Sequence, residues 1–184
     1  MYQQFYQHFL KANPGKQHFA CHSHHYWPDV TRDATLVYWD DTACLVDDKW
    51  DLVFGEKVPA VQQHIARILK LPEAAQIAFA PNTHEFVMRL LSCFDWSKPL
   101  TVVTTDSEFH SFHRQMNRLS ELDTINVIRV PTEPFATFPQ RLEAAVAAQP
   151  VDLVFFSQVF FNSGVGIKDL TALVQALDKI TDAM

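Results

Sequence analysis

Apolar residues recur along this chain first at helical spacing and then in short continuous runs. The first segments are helical in period. A short helix is predicted over 2–10, an extended segment over 18–22, and helices over 28–44 and 58–69; in the last, Val61, Ile65, Ile68 and Leu69 form one stripe. A short strand is predicted over 76–80. Asn82-Thr83-His84-Glu85 then reads as a helix start, with Asn82 as the cap and Glu85 three residues on. Phe86, Val87, Leu90, Leu91 and Phe94 make the apolar face of that helix. Beyond residue 100 the pattern alternates: strands over 100–104, 125–130 and 152–157, helices over 107–122 and 138–148, and a last helical face of Ile167, Leu170, Leu173, Val174 and Leu177. Alternation of this kind predicts an α/β fold with a mainly parallel sheet. The near-continuous apolarity of the strands predicts helices on both of its faces. The expected architecture is therefore a three-layer α/β/α arrangement, with residues 1–50 as an N-terminal helical and extended arm and 51–184 as the α/β part. A further strand is expected after the last helix, so the sheet reads as incomplete.

Composition narrows the partners. Of 184 residues 48% are hydrophobic, with 15 Phe and 4 Trp, enough apolar area to argue against disorder. The formal charge is −6 and no basic block stands out, which excludes nucleic acid and anionic membrane as natural partners. No apolar run has the length of a membrane span, and the N-terminus lacks a signal peptide's basic start and apolar middle. Three widely spaced cysteines, Cys21, Cys44 and Cys93, fit free thiols in a reducing cytoplasm.

In parallel α/β folds ligands bind where strand ends meet helix starts, so candidate chemistry is sought there. At 80–85, the helix start offers free N–H groups suited to a phosphate, with the Thr83 hydroxyl beside them; simple capping by Asn82 and Thr83 is the plainer reading. At 105–115, Phe109, His110, Phe112 and His113 are packed closely, and a flat ring there could stack on a flat ligand; the alternative is two core phenylalanines and two solvated histidines. At 157–164, Gln158 and Asn162 precede Gly164 and could bond a ligand hydroxyl, or simply make a turn. In Phe19-Ala20-Cys21-His22-Ser23-His24-His25-Tyr26-Trp27, imidazoles and a thiol crowd together. A metal is the weaker reading, because the amidohydrolase-like pair His22-x-His24 needs further ligands on later strands; histidines facing a cleft are the stronger one. His110-x-x-His113 lacks the glutamate of a zinc protease helix, so no metal is expected there either.

Taken in order, Asn82-Thr83-His84, the segment from Ser107 to Gln115 (SEFHSFHRQ) and that from Ser157 to Gly164 (SQVFFNSG) resemble the kynureninase-like branch of the class V aminotransferase superfamily, fold type I pyridoxal-phosphate-dependent enzymes. The resemblance runs from about Phe19 onward. It implies pyridoxal 5'-phosphate as cofactor, an amino-acid substrate and a homodimer with sites at its two-fold interface, to which the aromatic N-terminal stretch, with Trp27, Trp39 and Trp50, could contribute. It places Thr83 and His84 at the cofactor phosphate, Phe109 or His110 against the pyridine ring, Gln158 or Asn162 near the ring hydroxyl, and His24 and His25 on the substrate side. Relatives then supply an aspartate for the pyridine nitrogen and a Schiff-base lysine, and the expectation is that both lie beyond this chain, since Lys168 and Lys179 fall on a helical pattern. The chain is thus expected to be the N-terminal portion of such an enzyme, or a non-catalytic remnant serving as a binding module. Transamination, hydrolytic carbon–carbon cleavage and desulfuration all remain open.

Overall fold

Where the N-terminal sequence has helical period it forms helices. The computed structural model describes residues 2–19 and 24–184, so Cys21 and His22 of the histidine-rich segment lie outside the described residues. The chain divides into two compact units, Met1–Phe79 and Ala80–Met184.

The N-terminal unit is helical. A 3₁₀ turn at Tyr2–Phe5 leads into α1 (Gln7–Ala12), followed by α2 (Asp29–Leu45), α3 (Lys49–Leu52), a π-helical turn at Val53–Lys57 and α4 (Val58–Leu69). α4 has the bounds its apolar stripe predicts, and ends where Lys70 turns left-handed at φ 56. Residues 18–19 carry no regular structure, and 76–80, read as a strand, do not pair. A 3₁₀ turn at Ala74–Gln76 comes first, and the Ile77 carbonyl accepts the Gln62 side-chain amide at 2.8 Å. Extended backbone without a partner strand forms no ladder. Among the described residues of this unit Ala66 alone is buried, and Trp39 is 74% exposed.

One polar tie joins two of these helices. The Asp29 carboxylate at the head of α2 accepts the Gln7 N–H at 2.8 Å and the His8 N–H at 3.0 Å, two of the unpaired amides that open α1. The His8 amide foremost, with the Gln7 amide, holds the Asp29 carboxyl below the ordinary aspartate value. A pKa lowered in the folded state gives a tie that is complete above the ordinary value of about 3.9 and lost as pH falls through the folded value beneath it. Asp29→Asn is therefore expected to lower hydrogen-exchange protection at Gln7 and His8 at pH 6, and the wild-type chain to lose that protection only on acidification below about pH 4. Unchanged protection in the variant would contradict the cap.

The C-terminal unit is α/β. α5 (Thr83–Leu91) precedes β1 (Leu100–Thr105), α6 (His110–Leu119), β2 (Ile125–Val130), α7 (Phe138–Ala147), β3 (Leu153–Val154) and α8 (Leu170–Leu177). The three strands form one parallel sheet in the order β2-β1-β3. β1 pairs Leu100 with Ile125 through to Thr105 with Val130 on one side, and Val102 with Leu153 and Val103 with Val154 on the other. Beyond β3 the ladder continues: the Met184 N–H donates to the Asp152 carbonyl at 3.0 Å and the Val154 N–H to the Met184 carbonyl at 2.9 Å. This alternation is that of a parallel neighbour.

Alternate strand residues serve opposite faces. Leu100, Val102, Ile125 and Leu153 pack with Val87 and Leu91 of α5 and Phe112 and Met116 of α6. Val103 and Val130 pack with Phe138, Leu142 and Val146 of α7 and Leu173 and Leu177 of α8. Helices thus cover both faces of the sheet, which explains why β1 is buried at every position but Thr101 and β-branched at every position but Leu100.

Candidate functional site in the C-terminal unit

The strand order sets the location. From β1 the chain runs through α6, on one face, out to β2; from β3 it continues to α8, on the other face. The loops leaving β1 and β3, adjacent strands, therefore part to opposite sides of the sheet. Between them lies the crevice that parallel α/β folds use for ligands.

A polar network closes the base of this crevice. Glu108, only 5% exposed, sits in the loop after β1. Its Oε1 accepts the Thr105 hydroxyl at 2.7 Å and the Ser157 N–H at 3.0 Å, and its Oε2 accepts the Ser157 hydroxyl at 2.6 Å. Every partner is a donor, which suits an ionised carboxylate and satisfies a group that would be costly to bury bare. Sequence reasoning gave Glu108 and Ser157 no role. The one signal available was a carboxylate between a buried strand and a helix, next to an aromatic ring; its partner is 49 residues away and has no local signature.

Next to this network opens a cleft of about 890 Å³, of the size that holds small ligands. Asn82, Thr83 and His84 line one part of it, and Glu108, Phe109 and Ser157 another. At the helix start Asn82 is extended and its Oδ1 accepts the Glu85 N–H at 3.0 Å, as the capping pattern predicts. That cap uses the amide of Glu85 and not those of Thr83 and His84, the first two of the helix. The Thr83 hydroxyl takes no part in the cap. Phe109 is 47% exposed. Phe161 meets its ring edge-on at 5.1 Å and 84°, and the His110 ring lies 4.1 Å from it. Phe112 and Phe155, stacked at 3.9 Å, also line the cleft. Arg114 and Gln115 from α6 line it too, and the Gln115 Oε1 is buried without a hydrogen-bond partner.

Of the residues singled out from sequence, the cleft brings together Thr83, His84 and Phe109. His110, Gln158 and Asn162 are not among its lining residues. His110 follows Phe109 as the first residue of α6. The Gln158 carbonyl accepts the Ile167 N–H at 2.8 Å, and the Asn162 N–H donates to Ser107 Oγ at 3.1 Å. Gly164, at φ 71, closes the turn by donating to the Phe160 carbonyl at 2.8 Å. His24 and His25 belong to the N-terminal unit. There His18 Nε2 bonds the His24 carbonyl, His25 Nδ1 lies 2.7 Å from the Tyr26 carbonyl, and the His18 and Tyr26 rings stack at 4.9 Å. Among the described residues no group of three His, Cys, Asp or Glu side chains converges as a metal site would require. Among them, too, no helix is long and apolar enough to cross a membrane.

Compared with known proteins, the chain matches no family model, and no curated protein matches it.

Proposed function

We propose that the C-terminal unit is part of the three-layer cofactor-binding domain of a fold type I pyridoxal-phosphate-dependent enzyme of the kynureninase-like, class V aminotransferase kind, acting on an amino acid. The observation that carries this reading is the pairing, in one cleft at the sheet's switch point, of a helix start with uncommitted amides and a half-exposed aromatic ring. A flat ring bearing a phosphate fits both walls. The amides of Thr83 and His84, the Thr83 hydroxyl and the positive end of α5 would hold the phosphate. Phe109 would lie against the ring, and the unpartnered Gln115 Oε1 offers an acceptor to whatever donor enters. When bound, pyridoxal phosphate supplies an electron sink for carbanion chemistry at an amino acid. The chain's own part is to bind, orient and keep water from one face of that ring. A homodimer goes with the reading, and the exposed rings of the N-terminal unit, Trp39 among them, are the surface proposed for it. So does a cytoplasmic location, with Cys44 and Cys93 as free thiols.

The test compares three ligands on the same chain. Pyridoxal phosphate is expected to bind at least about tenfold more tightly than pyridoxal, since hydrogen bonds to a charged group each contribute about 1.5–3 kcal/mol. Inorganic phosphate is expected to compete with it. Equal affinity for pyridoxal, or indifference to phosphate, would contradict the assignment of α5 as the phosphate wall.

A further inference from the structure

Four hydrogen bonds join the loop after β1 to the loop after β3. The Ser157 N–H and hydroxyl both donate to Glu108, at 3.0 and 2.6 Å. The Phe161 N–H donates to the Ser107 carbonyl at 3.1 Å, and the Asn162 N–H to Ser107 Oγ at 3.1 Å. At the end of β1 the Thr105 Oγ1 accepts the Ser107 N–H at 3.1 Å, and the Thr105 hydroxyl donates in turn to Glu108. Ser107 and Glu108 are both buried, and Phe109 follows them directly as the N-cap of α6. The backbone on which the Phe109 ring is mounted is thus held by acceptors on its own loop and donors from the other. The second loop also supplies Phe161, the ring that meets Phe109 edge-on.

We propose that Glu108 is a positioning residue: its carboxylate locks the two loops at the switch point and so fixes the face that Phe109 presents to the cleft. The inference rests on the reading of the cleft as a site for a phosphorylated flat ring, and it adds the group that sets the ring wall. Geometry assigns the task to Glu108 over its neighbours. It is the one side chain in the loop after β1 that accepts from both the backbone and the hydroxyl of the loop after β3. Its two oxygens accept three hydrogen bonds, from Thr105 and twice from Ser157. Loss of the carboxylate frees Ser157 and Thr105 together and lets Phe109 turn, while the helix start at Thr83 stays capped by Asn82.

The experiment uses the full chain with Glu108→Ala, Glu108→Gln, Phe109→Ala and the double variant Glu108→Ala/Phe109→Ala. Pyridoxal phosphate and inorganic phosphate are titrated separately, and the carbon-bound proton signals of His110 are followed by NMR without ligand. Glu108→Ala is expected to weaken pyridoxal phosphate binding about fivefold, the scale of one aromatic stack. Phosphate affinity is expected to stay within about twofold, and the double variant to be no weaker than Phe109→Ala alone, as coupled groups behave. Glu108→Gln keeps the shape and can satisfy the same neighbours, so it is expected to restore most of the affinity. The His110 signals, which sense the Phe109 ring 4.1 Å away, are expected to move in Glu108→Ala toward their position in Phe109→Ala. Should Glu108→Ala fail to fold, Ser157→Ala removes one bond of the lock and is expected to give the same effects at reduced size. Normal ring affinity in Glu108→Ala beside a weakened Phe109→Ala would overturn the proposal, as would an equal loss of phosphate and ring affinity. If the wild-type chain binds no pyridoxal phosphate, the proposed function fails. The His110 signals then decide the positioning claim alone, and unmoved signals overturn it.

Discussion

Phe138→Ala is expected to destabilise the C-terminal unit by about 3–5 kcal/mol, as truncations of buried aromatic side chains do. Phe138 is 0% exposed at the first position of α7. Its ring meets Phe160 edge-on at 4.9 Å and 78°, and its neighbours in the core include Val103 and Val130 of the sheet and Leu173 and Leu177 of α8. Removing it opens a cavity against one whole face of the sheet. Phe160 comes from the loop that carries Phe161 and Asn162 to Ser107, so the cavity also loosens the far wall of the lock. Urea unfolding followed by circular dichroism measures the change. Val159→Ala, at a position 56% exposed, serves as the control and is expected to change stability by no more than about 0.5 kcal/mol. A loss under about 1 kcal/mol for Phe138→Ala would mean that the α7–α8 face is not a closed core.

The second large effect is on binding. Proline is well tolerated at the first position of a helix, and it carries no N–H. Thr83 holds that position in α5, and Asn82 before it is extended, at φ −167 and ψ 170, outside the α region that a following proline disfavours. Thr83→Pro therefore removes an amide and a hydroxyl from the proposed phosphate wall while leaving the helix intact. Affinity for pyridoxal phosphate is expected to fall about tenfold or more, with affinity for pyridoxal unchanged, because bonds to a charged group contribute about 1.5–3 kcal/mol each. Circular dichroism should show the helix content retained. Unaltered pyridoxal phosphate affinity would remove Thr83 from the site.

The elements easiest to read were those whose signals are local. Val58–Leu69 carries its own apolar stripe, Asn82 its own capping geometry, and Ile125–Val130 its own β-branched run, and each falls where the pattern puts it. The loops of the lock were harder. Residues 107–122 have helical period from Ser107, yet α6 begins at His110, because Ser107 and Glu108 spend their polar groups on the other loop. Residues 152–157 read as one strand, yet β3 is assigned only at Leu153–Val154. The Phe155 N–H still reaches the Val103 carbonyl at 2.9 Å, but the Ser157 N–H leaves the ladder for Glu108. In both places a contact between residues far apart in sequence overrides a local preference, and that contact is the one that shapes the site. The same holds for the cleft: Thr83 and Phe109 are legible as a helix start and an aromatic ring, but only the strand order β2-β1-β3 gives the crevice its place.

The central claim is that this crevice takes a phosphorylated flat ring, phosphate toward α5 and ring toward Phe109. Its most direct test is the pyridoxal phosphate titration followed residue by residue in the NMR spectrum of the isotope-labelled chain. The account predicts saturable shifts of the Thr83 and His84 amides together with the Phe109 ring protons, all three fitting one dissociation constant and all reversed by excess inorganic phosphate. Shifts confined to exposed lysines such as Lys168 and Lys179, with Thr83, His84 and Phe109 unmoved at saturation, would contradict it.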